Sequence, residues 1–378
     1  MADKKKILIA YANAGAGHRK AAYAIESALK EINRAGVEIK VIDTLDYSTS
    51  FLRKSYPAMY LFLVNRIPTI WGLGYYLFDT RIIYRMLIAP ARRINNFLNC
   101  SRLVSFLKEY NPNVIINTHF LGSEVMVDMK RHGMLKDAKL VSVVTDYFMH
   151  SFWVDKKIDY YCVAQDATKK HLAKRGILPE KIKAFGIPIS RIFAVKKNKK
   201  ELCGRLNIRD NCYTVLIGSG GFGIGPIKQL VSELLRIEKD IQLLVVCGKN
   251  PKLYREVSEL AKTSKKVIKV YEFVDNMDEL MEIADVMVTK SGGMTSSEAM
   301  AKDLPMIVTS AIPGQEARNC KYLVKAKAAI HEAGVKKVKE TILDILGSNS
   351  KIEQLQNNIR KIKKPNSSLD IIRFALSL

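Results

Sequence analysis

The chain has 378 residues, 48% hydrophobic and 26% charged, with 61 Lys and Arg against 37 Asp and Glu for a formal net charge of +24. Such a length and apolar fraction suit two domains, or three, with full cores, and exclude a disordered or fibrous chain. The basic balance points to polyanionic company, whether nucleic acid, an anionic membrane surface or phosphorylated substrates.

At the N-terminus, basic residues turn at once into a strand expected at Ile7 to Ala10, with no apolar signal core. The strand runs into "YANAGAGHRKAAYAI", where small residues, Gly15 and Gly17 lead to His18 at the start of a helix. In that helix Ile25, Ala28, Leu29 and Ile32 fall at i, i+3, i+4 and i+7, which gives it one buried stripe. A loop so bare lets another molecule approach its backbone, with His18 at the rim; it equally suits a tight strand-to-helix turn.

Further strands are expected at Val37 to Ile42, Val114 to Asn117, Leu140 to Val144 and Tyr160 to Val163. In the second half they are expected at Val215 to Ile217, Leu243 to Val246, Ile268 to Val270, Val286 to Thr289 and Met306 to Val308. Strands apolar on both faces and separated by helices are the pattern of parallel α/β sheets.

Between Phe51 and Lys108, nine Lys and Arg accompany a single acid, Asp79, with eleven aromatics interleaved. Its uncharged runs, "SYPAMYLFLVN" and "IPTIWGLGYYLF", are too short to span a bilayer. They suit a segment lying in the interface, with Trp71, Tyr75 and Tyr76 at headgroup depth and Arg81, Arg85, Arg92 and Arg93 on anionic lipid. The alternative is a set of helices packed on the sheet with a solvated basic face. After the strand "LVSVV", "TDYFMH" puts Asp146 at the carboxyl end of a parallel strand, with His150 four residues on to orient or pair with it.

The sheet pattern breaks at "FGIPISRIFAVKKNKKELCGRLNI". The expected domains are 1–195 and 196–365, with a C-terminal helix at 366–378 packing back on the first. Two α/β halves would leave a cleft at the carboxyl ends of their strands, where doubly wound folds bind ligands.

Two more glycine loops follow strands in the second half. "IGSGGFGIGPI" has five glycines, and Gly218-x-Gly220-x-x-Gly223 matches a dinucleotide fingerprint. The next strand ends "LLVVCGKN", without the acid that would hold a ribose, so NAD is disfavoured and close approach by a ligand or the facing domain is favoured. In "TKSGGMTSSEAMAKDLPMIVTSAIPGQEARN", Ser291, Gly292 and Gly293 precede a helix expected near Thr295, an arrangement suited to a diphosphate. Thr295-x-x-Glu298 reads equally as a capping box. Gln315 and Glu316 offer an amide and a carboxylate for vicinal sugar hydroxyls, or an ordinary helix entry. The six cysteines, without C-x-x-C or zinc spacing, read as reduced core residues.

Gly15-Ala16-Gly17-His18-Arg19, "VTDYFMHSFW", "GSGGFGIGP" and the last motif occur in this order over nearly the whole chain. Together they resemble the diacylglycerol glycosyltransferase family: bacterial processive diacylglycerol glucosyltransferases and plant monogalactosyldiacylglycerol synthases. The resemblance implies a glycosyltransferase-B fold of two Rossmann-like domains, with UDP-glucose or UDP-galactose on the second and diacylglycerol or a similar lipid on the first. It implies that Ser291, Gly292, Gly293 and Thr295 cradle the diphosphate, Glu298 the ribose, Gln315 and Glu316 the hexose, while Gly220, Gly221 and Gly223 line the cleft. The family usually has proline where Ser291 stands and a tighter glycine triplet where Phe222 intervenes.

The expected reaction is an inverting transfer with UDP-sugar as donor substrate and neither cofactor nor metal, since no D-x-D motif occurs in the chain. His18 is the first candidate for the base or acceptor contact, with Asp146 next. Gly15, Gly17 and His150 fall on the acceptor side. The expected location is cytoplasmic, peripheral on the inner face of the cell membrane and on an anionic surface. Alternatives are a UDP-N-acetylglucosamine transferase acting on the peptidoglycan lipid precursor, a UDP-sugar epimerase, or a basic nucleic-acid-binding protein. No nucleic acid partner is expected, because the basic residues are spread over both halves.

Overall fold

A computed structural model of the chain describes residues 4–221, 223–309 and 312–378. Its first sheet contains β1 (Lys5–Tyr11), β2 (Val37–Asp43), β3 (Val114–Asn117), β4 (Lys139–Val143), β5 (Tyr160–Cys162) and β6 (Ile182–Lys183). Its second contains β7 (Tyr213–Gly218), β8 (Ile241–Val246), β9 (Ile268–Tyr271), β10 (Val286–Thr289), β11 (Met306–Val308) and β12 (Ala329–His331). All pairings are parallel, in the orders β2-β1-β3-β4-β5-β6 and β12-β11-β10-β7-β8-β9. The ten predicted strands are present; β6 and β12, two and three residues long at sheet edges, are additions.

β1 explains why these runs are continuously apolar. Leu8 and Ala10 enter one core layer while Ile7 and Ile9 enter the layer on the other face, so both sides of the strand are dry. Each such Ile or Leu contributes about 1.5–3 kcal/mol on burial. On the Ile7 and Ile9 face lie the predicted stripe residues Ile25, Ala28 and Leu29 of helix Ala16–Ile32, with Leu369, Ile372 and Leu376 of helix Ser367–Ser377. Ser367 and Ser368, both fully buried, donate to the carbonyls of Ile187 and Ile189 at 2.7 and 2.9 Å, which fixes that last helix on the first sheet. All six cysteines are buried thiols.

The chain divides into two compact units. One runs to Arg191 and includes Ile312–Gln315 and Asn366–Leu378; the other is Ile192–Ala311 with Glu316–Pro365. Each sheet reverses the direction of its strand order at one place, β1/β3 in the first and β7/β10 in the second. The crevice outside the carboxyl ends at such a reversal is where open α/β sheets hold ligands.

Candidate active site

At the β1/β3 crevice, helix Ala16–Ile32 begins at Ala16, earlier than expected, so His18 stands inside its first turn. Gly15 is the N-cap, offers no side-chain cap, and has open space where a Cβ would be. The His18 Nδ1 lies 2.6 Å from the Thr118 carbonyl, which follows β3. A carbonyl only accepts, so Nδ1 carries the proton and Nε2 presents a lone pair. Thr118 Oγ1 donates back to the His18 carbonyl at 2.9 Å. The ring meets His119 edge-on at 4.5 Å and has Trp153 at 6.3 Å. Burial lowers the His18 pKa to about 4, against the pull of the Thr118 bond, and keeps the imidazole neutral.

Asp146 stands in the turn just beyond β4, and its neighbour Thr145 brings Oγ1 to 3.2 Å from His18 Nδ1. Thr145 thus brings the turn after β4 against the first turn of helix Ala16–Ile32. His150 Nε2 donates to the Tyr75 carbonyl at 2.8 Å and its Nδ1 accepts from Phe152 N at 3.2 Å, so the buried ring clamps helix Pro68–Phe78 to the following turn. Thr118, His119 and Trp153 were not anticipated; the polar "NTH" that ends β3 was the available signal. His119 Nδ1 accepts from Leu121 N at 3.1 Å, and burial drives its pKa well down.

In the second unit, the loops after β7 and β10 meet at the other crevice. A Cβ on Gly220 (φ +69°) would lie 3.2 Å from Lys290 Cε. Lys290 Nζ bonds Glu316 Oε1 at 2.8 Å, and the buried Ser291 Oγ donates to the Glu316 carbonyl at 2.7 Å. Lys290 thus joins the loop after β7, the Ser291 loop and the start of helix Gln315–Lys325, and no local pattern in "TKSGG" marks it out.

Helix Gly293–Ala301 has Gly292 as N-cap and no side-chain cap. The capping-box reading fails, since Thr295 lies inside the first turn instead of before it. The buried Glu298 sits further along the same helix. Gly221 and Gly292 have open space beside them, whereas a Cβ on Gly223 (φ +57°) would lie 2.0 Å from the Cys247 carbonyl. Gly223 therefore serves the packing of two loops within its own unit. The expectation about Phe222 falls outside the described residues.

Gln315 belongs with the first unit, where its Nε2 donates to Tyr60 Oη at 2.9 Å. The amide and carboxylate expected to share a hexose thus have separate protein partners. Tyr75 is buried with its ring against Gly314, whose Cβ would fall 2.9 Å from Cγ, and Trp71 is half-buried against Tyr60 at 5.4 Å. Only Tyr76 of the three expected headgroup aromatics is exposed. Arg92 is also withdrawn, clamped bidentately on Glu124 at 2.7 and 2.9 Å. Arg81, Arg85 and Arg93 are exposed, among apolar side chains open to solvent that include Phe51 (75%), Leu73 (72%), Met86 (70%) and Phe97 (83%).

Two parallel sheets with these orders make the glycosyltransferase-B fold, shared with the crystal structure of Acinetobacter baumannii MurG at a TM-score of 0.64 and 12% identity over 99% of this chain and 100% of that one. The family model for monogalactosyldiacylglycerol (MGDG) synthase matches residues 18–189, and that for the glycosyltransferase family 28 C-terminal domain matches 214–371. The chain is 31% identical to processive diacylglycerol beta-glucosyltransferase of Bacillus pumilus over 98% of its length and 94% of that protein. It is 30% identical to monogalactosyldiacylglycerol synthase 1, chloroplastic, of Arabidopsis thaliana over 97% of its length and 70% of that protein. It belongs to the diacylglycerol glycosyltransferase family.

Proposed function

We propose that the protein transfers a hexose from a UDP-sugar, UDP-glucose or UDP-galactose, to the hydroxyl of diacylglycerol or a related lipid, with inversion and without a metal ion. The observation that carries this reading is the His18–Thr118 bond, because it puts the proton on Nδ1 and leaves Nε2 ready to accept another, while burial keeps the imidazole neutral. In the transfer, the acceptor hydroxyl gives its proton to Nε2 while its oxygen forms the new bond to the anomeric carbon. The bond from that carbon to the diphosphate breaks, and its electron pair leaves with UDP. Lys290 and the uncapped start of helix Gly293–Ala301 supply positive potential for that charge.

No helix of the described residues is long and apolar enough to cross a membrane. The exposed apolar side chains between residues 51 and 98, with Arg81 and Arg85, support attachment at an anionic membrane surface, proposed as the inner face of the cell membrane. The test is incubation with diacylglycerol vesicles and labelled UDP-glucose, UDP-galactose and UDP-N-acetylglucosamine, reading the lipid product. A hexosyl lipid is expected; absence of product from either hexose donor would reject the reading, and transfer of N-acetylglucosamine alone would redirect it.

A further inference from the structure

Apart from the turn Ile312–Gln315, the chain passes between its two units at Arg191–Ile192 and again at Pro365–Asn366. Within the second unit, the segments beside both joins end on one cluster of charges. At its centre is Lys302, whose side chain is 1% exposed, a burial that lysine tolerates only when it is paired. Its Nζ donates to the Val195 carbonyl at 2.5 Å and to Glu282 at 2.5 Å, and its own carbonyl accepts from Lys196 Nζ at 3.5 Å. Beside it, Asp303 takes Lys363 at 2.6 Å, Lys196 at 3.7 Å and Arg360 at 3.8 Å. One carboxylate thus holds a lysine from each join. The rest of the run "KKNKK" is strapped down as well, with Lys197 on Asp278 at 2.6 Å and Glu279 at 3.1 Å, and Lys199 on Asp285 at 2.8 Å.

Asp303 stands just past the end of helix Gly293–Ala301 at φ +58°, a left-handed position that favours glycine. Glycine or asparagine would suit that backbone at least as well, so what the carboxylate adds is its charge among three cations. The same helix begins at the loop Ser291–Gly293, the proposed seat of the diphosphate. Nine helical residues make a rod about 13 Å long, so the donor loop and the charge cluster are the two ends of one rigid body.

We infer that Lys302 and Asp303 are positioning residues for the transfer, fixing both joins to the far end of the helix that carries the donor loop. This rests on the proposed function, in which His18 of one unit serves a donor held by the other. The alignment of base and donor then depends on how firmly the joining segments are held, and a displacement of about 1 Å at a reacting group can cost about 10²-fold in rate. Without the Asp303 charge, Lys196, Lys363 and Arg360 are left around a neutral side chain and repel one another. The glycine loops themselves are not touched, so donor binding persists while the rate falls.

Asp303→Asn is the informative variant, because asparagine keeps the size and accepts the left-handed backbone while losing the charge. With dispersed dioctanoylglycerol as acceptor and UDP-glucose or UDP-galactose as donor, it should lower kcat by at least about tenfold. The UDP Kd, read by calorimetry on the full chain, should stay within about twofold. Lys363→Gln, which cuts the same pair from the other side, should show the same split between rate and binding, and serves alone if Asp303→Asn does not fold. Asp344→Asn breaks an exposed pair with Lys351 in the same unit and should leave kcat within about twofold. Rates are read well below each variant's melting temperature, where a merely structural loss leaves kcat in place. A kcat near wild type in the folded variants overturns the inference whether or not their melting temperatures fall. So does a UDP Kd weakened as much as kcat, which would put the defect in the donor site, and so does an equal loss in Asp344→Asn. If the wild type forms no hexosyl lipid, the proposed function fails and the inference falls with it, whereas an active wild type with active variants defeats the inference alone.

Discussion

His18 shows how one hydrogen bond sets a residue's chemistry. With Nδ1 committed to Thr118 and burial holding the pKa to about 4, the base form persists well below the ordinary histidine range. His18→Ala should lower kcat by about 10²–10⁴ with donor KM little changed. Asp146→Asn should retain more activity, and the reverse ordering would move the base to Asp146. The acidic limb of the wild-type kcat/KM profile should fall near pH 4 instead of near 6.5. The same shift affects stability. An imidazole with a folded pKa below its unfolded value binds more protons when unfolded, so stability is full above about pH 6.5 and is lost as pH falls toward about 4. His119 adds to this with the same sign. Urea melts across that window should flatten for His18→Gln; an unchanged slope would show that the ring does not titrate as its burial implies. On the donor side, Lys290→Ala removes the cation joining three loops and leaves the Glu316 carboxylate without that partner. It should lower kcat by about 10²–10³, the usual effect of losing one preorganised electrostatic group. Steady-state kinetics near wild type would exclude Lys290 from the transition state.

At the scale of elements, the glycine loops divide into positions that serve packing and positions that leave room. Gly223→Ala would force a Cβ toward the Cys247 carbonyl in a left-handed backbone, and should destabilise the protein by at least about 1–3 kcal/mol. Gly221→Ala meets open space, so its melting temperature should stay near wild type while the donor KM rises. Thermal melts of the pair, read beside kinetics, separate the two roles; equal destabilisation would remove Gly221 from the donor site. Helix Gly293–Ala301 makes a parallel case. With Gly292 at its N-cap, Thr295→Ala should not cost the roughly 0.5–2 kcal/mol of a lost cap. A loss of that size in a denaturant melt would restore the capping box.

For the whole molecule, the proposed membrane attachment depends on which side chains the fold leaves outside. Replacing Tyr75 by serine would damage the core around Gly314 and say little about lipid. Phe51, Leu73, Met86 and Phe97 are the informative positions. Their joint replacement by serine should reduce cosedimentation with anionic vesicles while UDP binding persists. Polybasic attraction amounts to roughly 1 kcal/mol per residue near an anionic surface and is screened by salt, so sedimentation should also fall as salt rises. Unchanged sedimentation of the serine variant would remove this face from the membrane.

The sequence by itself determined the strand content, because a parallel strand buried on both faces must be apolar without interruption, as in "ILIA", "VIIN" and "VMVT". It located the three glycine loops for a similar reason: a chain that turns sharply after a strand, or must admit another backbone, has few residue types to choose from. It did not reveal β6 or β12, whose two and three edge residues are too short to carry a period. Only the tertiary structure decided which neighbours each candidate meets. Thr118 lies 100 positions from His18 and Glu316 lies 26 from Lys290, and no local pattern encodes such pairings. The same is true of Tyr75 and Tyr76, adjacent aromatics of which one is buried and the other exposed. Adjacent helix residues point about 100° apart, and which of those directions is inside depends on what the rest of the chain packs against it.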